Sequence, residues 1–208
     1  MANKNTNLLN PIELLDIYGM PYLNDIERRE YFALNKAELH AMKNFKNTQE
    51  AIYFAVCLAF FKIKGTLTSF SYRDITAERQ HLIERYFPDD SIPKSLPKNR
   101  STRTRIENKV LTLCNYQRYT NKLSEKLTKE LSKLAPNYPR QRQLCKALLD
   151  LLTKKRISIP AYTTIQDIVS EVWNTENNRL VSSYIRYTNK KQRDTVPFRR
   201  GSLGINFF

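Results

Sequence analysis

Glycine is scarce in this sequence, with four residues in 208, while Leu, Lys, Glu, Arg and Ala recur throughout. That mixture favours helix and argues against a turn-rich β architecture. Cysteine is equally sparse. Cys57, Cys114 and Cys145 are odd in number, far apart and set in apolar helical patterns, so they form neither a disulfide framework nor a ligand cluster. They read as buried free thiols of a reducing cytoplasm. The two histidines, His40 and His81, have no His or Cys at ligand spacing, so no zinc site, and no cofactor of any kind, is expected. The longest apolar run, Ala51 to Phe61, falls well short of the ~20 residues that span a bilayer. It predicts a core helix, and no membrane partner is expected. The N-terminus lacks the basic-then-apolar order of a signal peptide. A Gly-rich phosphate loop, an HExxH helix and a nucleophile elbow are all missing. Carboxylates abound in residues 1–90, but at ordinary helix-surface spacing. The chain therefore reads as having no catalytic centre of its own. A two-metal nuclease site built from three distant carboxylates stays open as a rival.

What the sequence does have is basic charge, and it is concentrated. The net charge is +15. Residues 1–90 carry 11 Lys and Arg against 12 Asp and Glu, whereas residues 91–156 carry 17 against 4, a net of +13. Residues 157–208 carry 7 against 4. A basic excess confined to one segment is the footprint of a polyanion site. A generic basic surface is the alternative, and it would have spread the charge evenly.

The periodicity predicts an all-α protein of two helical subdomains with helix-turn-helix-like units. Pro11 and Pro21 make residues 1–20 an arm with at most one short helix. Asn24 caps a short helix to Tyr31, Asn35 one ending near Phe45, and Asn47 or Thr48 a long helix stopped by Gly65. Thr76 starts the next helix, which ends near Phe87. A Pro-punctuated loop covers residues 88–99. Ser101 caps a helix to Cys114, and Thr120 caps one to Ala135. The segment APNYP predicts a boundary between residues 1–135, an N-terminal helical domain expected to hold the polyanion site, and residues 136–208, a second helical domain with an uncertain tail. A helix from Arg140 to Lys155 follows, then the connector RISIPAY with a short extended piece. Thr163 and Gln166 have capping-box spacing for a helix to about Trp173, and a last helix covers residues 178–190.

Three constellations carry function. On the helix from Ser101, residues Ile106, Val110, Leu113 and Cys114 share one face. Thr104, Arg105, Asn108 and Thr112 share the other, flanked by Lys109. Arg, Asn, Thr and Lys are the side chains that pair with guanine, adenine, thymine methyl groups and phosphates. Lys98, Arg100, Ser101 and Arg103 add charge and polarity at the helix entry, where the N-terminus itself attracts phosphate. This predicts a recognition helix for the major groove; an ordinary solvated face accounts for the same pattern. The helix from Thr120 buries Leu123, Leu127, Leu131 and Leu134 and presents Lys122, Lys126, Lys129 and Lys133. Flexible point charges of this kind suit sequence-independent phosphate contact, and equally a solvated face. The third unit spans residues 140–173. Arg140 and Arg142 open it, and Lys154, Lys155 and Arg156 end its first helix, either as phosphate clamps or as complements of the helix dipole. Thr163 and Thr164 stand at the entry of its second helix as candidate DNA contacts.

The residues also carry a family resemblance. YFAL, a capped helix, EAIYFAVCLAFFKIKG, the basic KNRSTRTRIENKVLTLCNYQRY and later RISIPAYTTIQDIV occur in this order. The chain, over about residues 10–180, resembles the N-terminal region of the transposases of the Tn-three family of replicative transposons. The most specific parts are residues 98–105, NYQRY at 115–119 with Arg118 at its centre, and IPAYTT at 159–164. The resemblance implies a helical region that binds the terminal inverted repeats as double-stranded DNA. In that family cleavage and strand transfer fall to three acidic residues of a ribonuclease H-like domain much further along. The tail TVPFRRGSLGINFF does not resemble the family's continuation, as expected of an excised piece or a truncated reading frame. The resemblance thus implies DNA binding without transposition by this chain alone. It also implies a bacterial, nucleoid-associated location and, as protein partner, a transposase catalytic region or a second copy. Two rivals of other classes remain at this point: a basic RNA-binding protein, and a helical module that docks another protein through residues 1–90.

Overall fold

The computed structural model describes residues 7–195, and the described residues form nine α-helices and one 3-10 turn. Sequence chemistry explains most boundaries. Asn10, Asn24 and Asn35 each cap a helix through the reciprocal bond with a Glu three residues on, which satisfies two end groups at once. These open α1 (Pro11–Tyr18), α2 (Asp25–Tyr31) and α3 (Lys36–Lys43). Asn47 caps α4 (Thr48–Lys64), and Gly65 ends it at φ +68°, a left-handed conformation that glycine adopts without a Cβ penalty. Then come α5 (Thr76–Tyr86), α6 (Arg100–Leu113), α7 (Asn121–Leu134), α8 (Gln141–Lys154) and α9 (Tyr162–Thr195). The fold class is all-α, as the periodicity predicts.

Buried apolar side chains gather in two clusters. The first surrounds α4, whose residues Ala51 to Phe61 are all buried, and collects α3, α5 and α6 around it. A helix that is apolar all round must be sheathed on every side, and α4 is. The second cluster joins α7, α8 and α9 through Leu127, Leu131, Leu144, Leu148, Ile165, Val169 and Val172. APNYP is therefore not where the cores divide. It forms the 3-10 turn Ala135–Asn137 within the second cluster, and the division falls between Tyr116 and Tyr119. The leucines of α7 face α8 and α9, which puts α7 with the second core.

The first residues are not an arm. Leu8 and Leu9 are buried in the second core, and their N–H groups donate to the Tyr162 hydroxyl at 2.9 and 3.3 Å. The Tyr18 hydroxyl donates to the Pro160 carbonyl, and Lys64 Nζ donates to the carbonyls of Leu15 and Asp16, so α1 is tied to both cores.

Two helix ends staple the cores together. After α6, Asn115 turns left-handed (φ 57°) and Tyr116 N–H returns to the Leu111 carbonyl. After α8, Arg156 does the same (φ 54°) and Ile157 N–H returns to the Leu152 carbonyl. These paired stops leave Gln117 and Ile157 side by side in an isolated parallel bridge, with Gln117 N–H to the Arg156 carbonyl at 2.8 Å and Ser158 N–H to the Gln117 carbonyl at 2.9 Å. This is the short extended piece expected in the connector.

Three helix boundaries differ from expectation. Asn99, not Ser101, caps α6, and it takes up the Ser101 N–H and hydroxyl. Thr163 lies inside the first turn of α9, which starts at Tyr162, and so does not cap it. Nor does the helix break after Trp173, because α9 is continuous over its 34 residues, Tyr162–Thr195. Glu176, itself buried, forms a two-pronged ion pair with Arg179 at 2.6 and 2.7 Å and so bridges the Asn-rich stretch where a break was expected. Beyond it the helix leaves the core, and Leu180, Val181, Tyr184, Ile185 and Tyr187 are exposed. The expected tail from residue 195 lies, past that residue, outside the described residues.

Candidate nucleic-acid interface

Helix α6 is seated by Ile106, Val110 and Leu111, all buried against the first core, with Leu113 and Cys114 only half-buried at its end. The opposite side carries Arg100, Ser101, Arg105, Asn108, Lys109 and Thr112, all exposed, and Thr104, half-buried. No acidic residue occupies its first turn, so the positive end of the helix dipole and the Arg100 charge are left to attract an anion.

The arginines of this helix do different things. Arg103 turns inward. Its Nε donates to the Pro97 carbonyl at 2.6 Å and its guanidinium lies 5.7 Å from the Tyr53 ring centroid. It pins the Pro-rich loop to α4, and is a fold-holding residue rather than an exposed cation. Arg105 stays outside, but its Nη2 donates to Glu50 at 2.6 Å and it lies over Phe45. Arg118 reaches back across the end of α6 to Asn108 Oδ1 at 2.7 Å and Glu107 at 2.8 Å. The Tyr53 hydroxyl donates to the same Glu107 at 3.1 Å. Arg118 thus locks the side chain of Asn108, and with it the middle of the exposed face.

A groove of about 320 Å³ runs between α6 and the α3–α4 corner, lined by Asn44, Phe45, Arg105, Asn108, Lys109 and Thr112. Asn44, Phe45 and Glu50 are functional candidates that the sequence reading missed. No local pattern could have placed them there, since 55 positions separate Glu50 from Arg105.

The remaining candidates belong to the second core. Lys122, Lys126, Lys129 and Lys133 on α7 are exposed and have no ion pair among the described residues, as have Lys98, Arg100, Lys109, Arg140 and Lys154. Arg142 and Lys146 both meet Glu13 of α1, at 2.8 and 3.4 Å. Glu13 also accepts the Asn10 N–H, and these bonds hold its carboxyl down at about 2. Lys155 pairs with Glu130 of α7 at 3.0 Å, and Arg156 stacks over Tyr116. On the first turn of α9, Thr163 is exposed and Thr164 half-buried. The connector at residues 155–161 is longer than the three- or four-residue turn of a helix-turn-helix. The structure thus joins Arg105, Asn108, Lys109 and Arg118 into one surface, while the α7 lysines stand on a separate core.

Among the described residues no group of three His, Cys, Asp or Glu side chains could hold a metal ion, and no helix is long and apolar enough to cross a membrane. The three cysteines are free thiols. The family model described as Domain of unknown function (DUF4158) matches residues 8–172. No curated protein matches the chain.

Proposed function

The chain belongs to the DUF4158 family, and from that premise we propose that it is a sequence-specific double-stranded DNA-binding module that recognises transposon terminal inverted repeats and leaves catalysis to another polypeptide region. The matched residues 8–172 include the segments 98–105, 115–119 and 159–164, which carry the resemblance to the N-terminal region of Tn-three family transposases. One observation carries the reading: a helix seated by Ile106, Val110 and Leu111 presents Arg100, Arg105, Asn108 and Lys109 on one solvent-facing side, with its positive end uncapped by acid. That side holds both base-reading and phosphate-binding groups. The unpaired lysines of α7 supply sequence-independent phosphate contacts.

The test is enrichment of bound sequences from a random duplex library, followed by a salt titration on the enriched site. With about 6 phosphate contacts, the slope of log affinity against log salt is expected near −5, which costs about three decades between 50 and 200 mM. Recovery of no preferred sequence, or equal competition by single-stranded RNA, would overturn the reading in favour of a generic basic surface or an RNA-binding role.

A further inference from the structure

Arg105 is a surface arginine that is tied from one side. Its side chain is 56% exposed, whereas that of its partner Glu50 is 13% exposed. The carboxylate is therefore the fixed member of the pair. Glu50 lies in the first turn of α4, where the helix dipole favours negative charge and where its own N–H is held by the cap residue Asn47 at 2.8 Å. From there Oε2 accepts Arg105 Nη2 at 2.6 Å, while the Phe45 ring lies 5.7 Å from the guanidinium carbon. One nitrogen of the planar group is thus tied from the side, and the group sits over an aromatic ring. Nη2 keeps a second N–H, and Nε and Nη1 make no hydrogen bond among the described residues, so one of the two forks that share Nη2 stays free, Nη2 with Nε or Nη2 with Nη1.

That geometry matches a particular need. Reading guanine through O6 and N7 requires two donors of one rigid fork, aimed together at the base edge. A free arginine must give up rotamer freedom to meet that condition, whereas one already tied at Nη2 has given much of it up beforehand. We propose that Glu50, supported by Phe45, is a positioning residue that aims Arg105 at a guanine in the major groove. The proposal rests on the duplex-binding reading above. A purely charge-neutralising carboxylate would behave differently: it would repel phosphates alike on every sequence and weaken all DNA binding without touching base preference.

The experiment uses the full chain and the duplex enriched by it, with every base pair varied in turn. Arg105→Ala first identifies the position whose preference depends on that side chain. Glu50→Gln keeps the shape of the side chain but removes the charge-assisted bond, and Glu50→Ala removes the acceptor. At the position marked by Arg105→Ala, Glu50→Ala is expected to lower discrimination by about tenfold, with Glu50→Gln in between. Affinity for random duplex should stay level or rise, because a negative charge is gone. Circular dichroism follows folding, and should Glu50→Ala unfold, Glu50→Gln carries the comparison. Unchanged preference in the Gln variant overturns the proposal, as does an equal loss on cognate and random duplex. If the wild-type chain enriches no sequence, the duplex reading falls and the proposal with it. If wild type and Arg105→Ala differ while the Glu50 variants match wild type, the reading stands and the proposal alone fails.

Discussion

Arg142 on α8 and Glu13 on α1 meet at 2.8 Å although 129 positions separate them. The pair, joined by Lys146 at 3.4 Å, fastens the N-terminal helix to the second core. It also occupies an arginine that the charge pattern alone assigns to DNA. The Asn10 N–H, then Arg142, lowers the Glu13 carboxyl from 4.5 to about 2. A carboxyl lowered by folding stabilises the fold fully above its unfolded value and loses that contribution as pH falls from about 4.5 towards about 2. Glu13→Gln should therefore remove the part of the acid-unfolding curve that lies in this window and speed amide exchange across α1 at neutral pH. Unaltered exchange in α1 would mean that Leu8 and Leu9 hold the helix without the ion pair.

Tyr162 supplies the second fastening, since its hydroxyl takes the N–H groups of Leu8 and Leu9. Tyr162→Phe leaves those two donors beside buried leucines without an acceptor, at a cost of about 1–3 kcal/mol. In a protein of this size each kcal/mol lowers Tm by about 2–4 °C, so thermal unfolding gives the answer directly. A Tm shift below about 2 °C, the smallest expected, would show that water replaces the hydroxyl.

Arg103 and the exposed cations around it should separate fold from binding. Replacing Lys98, Arg100 and Lys109 by Gln removes charges with no ion pair among the described residues, and each such surface change costs within about 0.5 kcal/mol. That variant should stay folded and lose DNA affinity. Arg103→Gln should do the reverse, lowering Tm because the Pro97 carbonyl and the Tyr53 ring lose their partner. Affinity titrations and melting curves on the two variants are the measurement, and a DNA loss confined to Arg103→Gln would move the binding face.

On α7, Lys126→Gln with Lys129→Gln should weaken cognate and random duplex by the same factor. The salt slope should become shallower by about 2, since each phosphate contact contributes about 0.9. A shifted sequence preference would contradict a phosphate role, and an unchanged affinity would make the stripe a solvated face.

The caps at Asn24, Asn35, Asn47 and Thr120 and the stop at Gly65 were legible because capping is local, completed within four residues. The apolar sheath around α4 was legible because a helix without a polar side can only be buried. Asn99 and Ser101 are both good caps two positions apart, and nothing local chose between them. Helix α9 stays continuous across the helix-weakening Asn174, Asn177 and Asn178, a stretch spanned by the bonds of exposed Arg179 to buried Glu176.

The sequence by itself determined the helices, the all-α class, the amphipathic faces of α6 and α7 and the basic block, because each depends on neighbours within a few turns. Tertiary structure alone decided which charges face solvent. Arg103 is spent on a loop carbonyl, Arg105 is tied by Glu50, Arg118 is folded onto Asn108, and Arg142 is held by Glu13. It also decided that Leu8 and Leu9 belong to a core formed more than 100 positions later. Pairings over such distances leave no periodic trace, since the partner is chosen by where the packed helices carry it and not by its place in the chain.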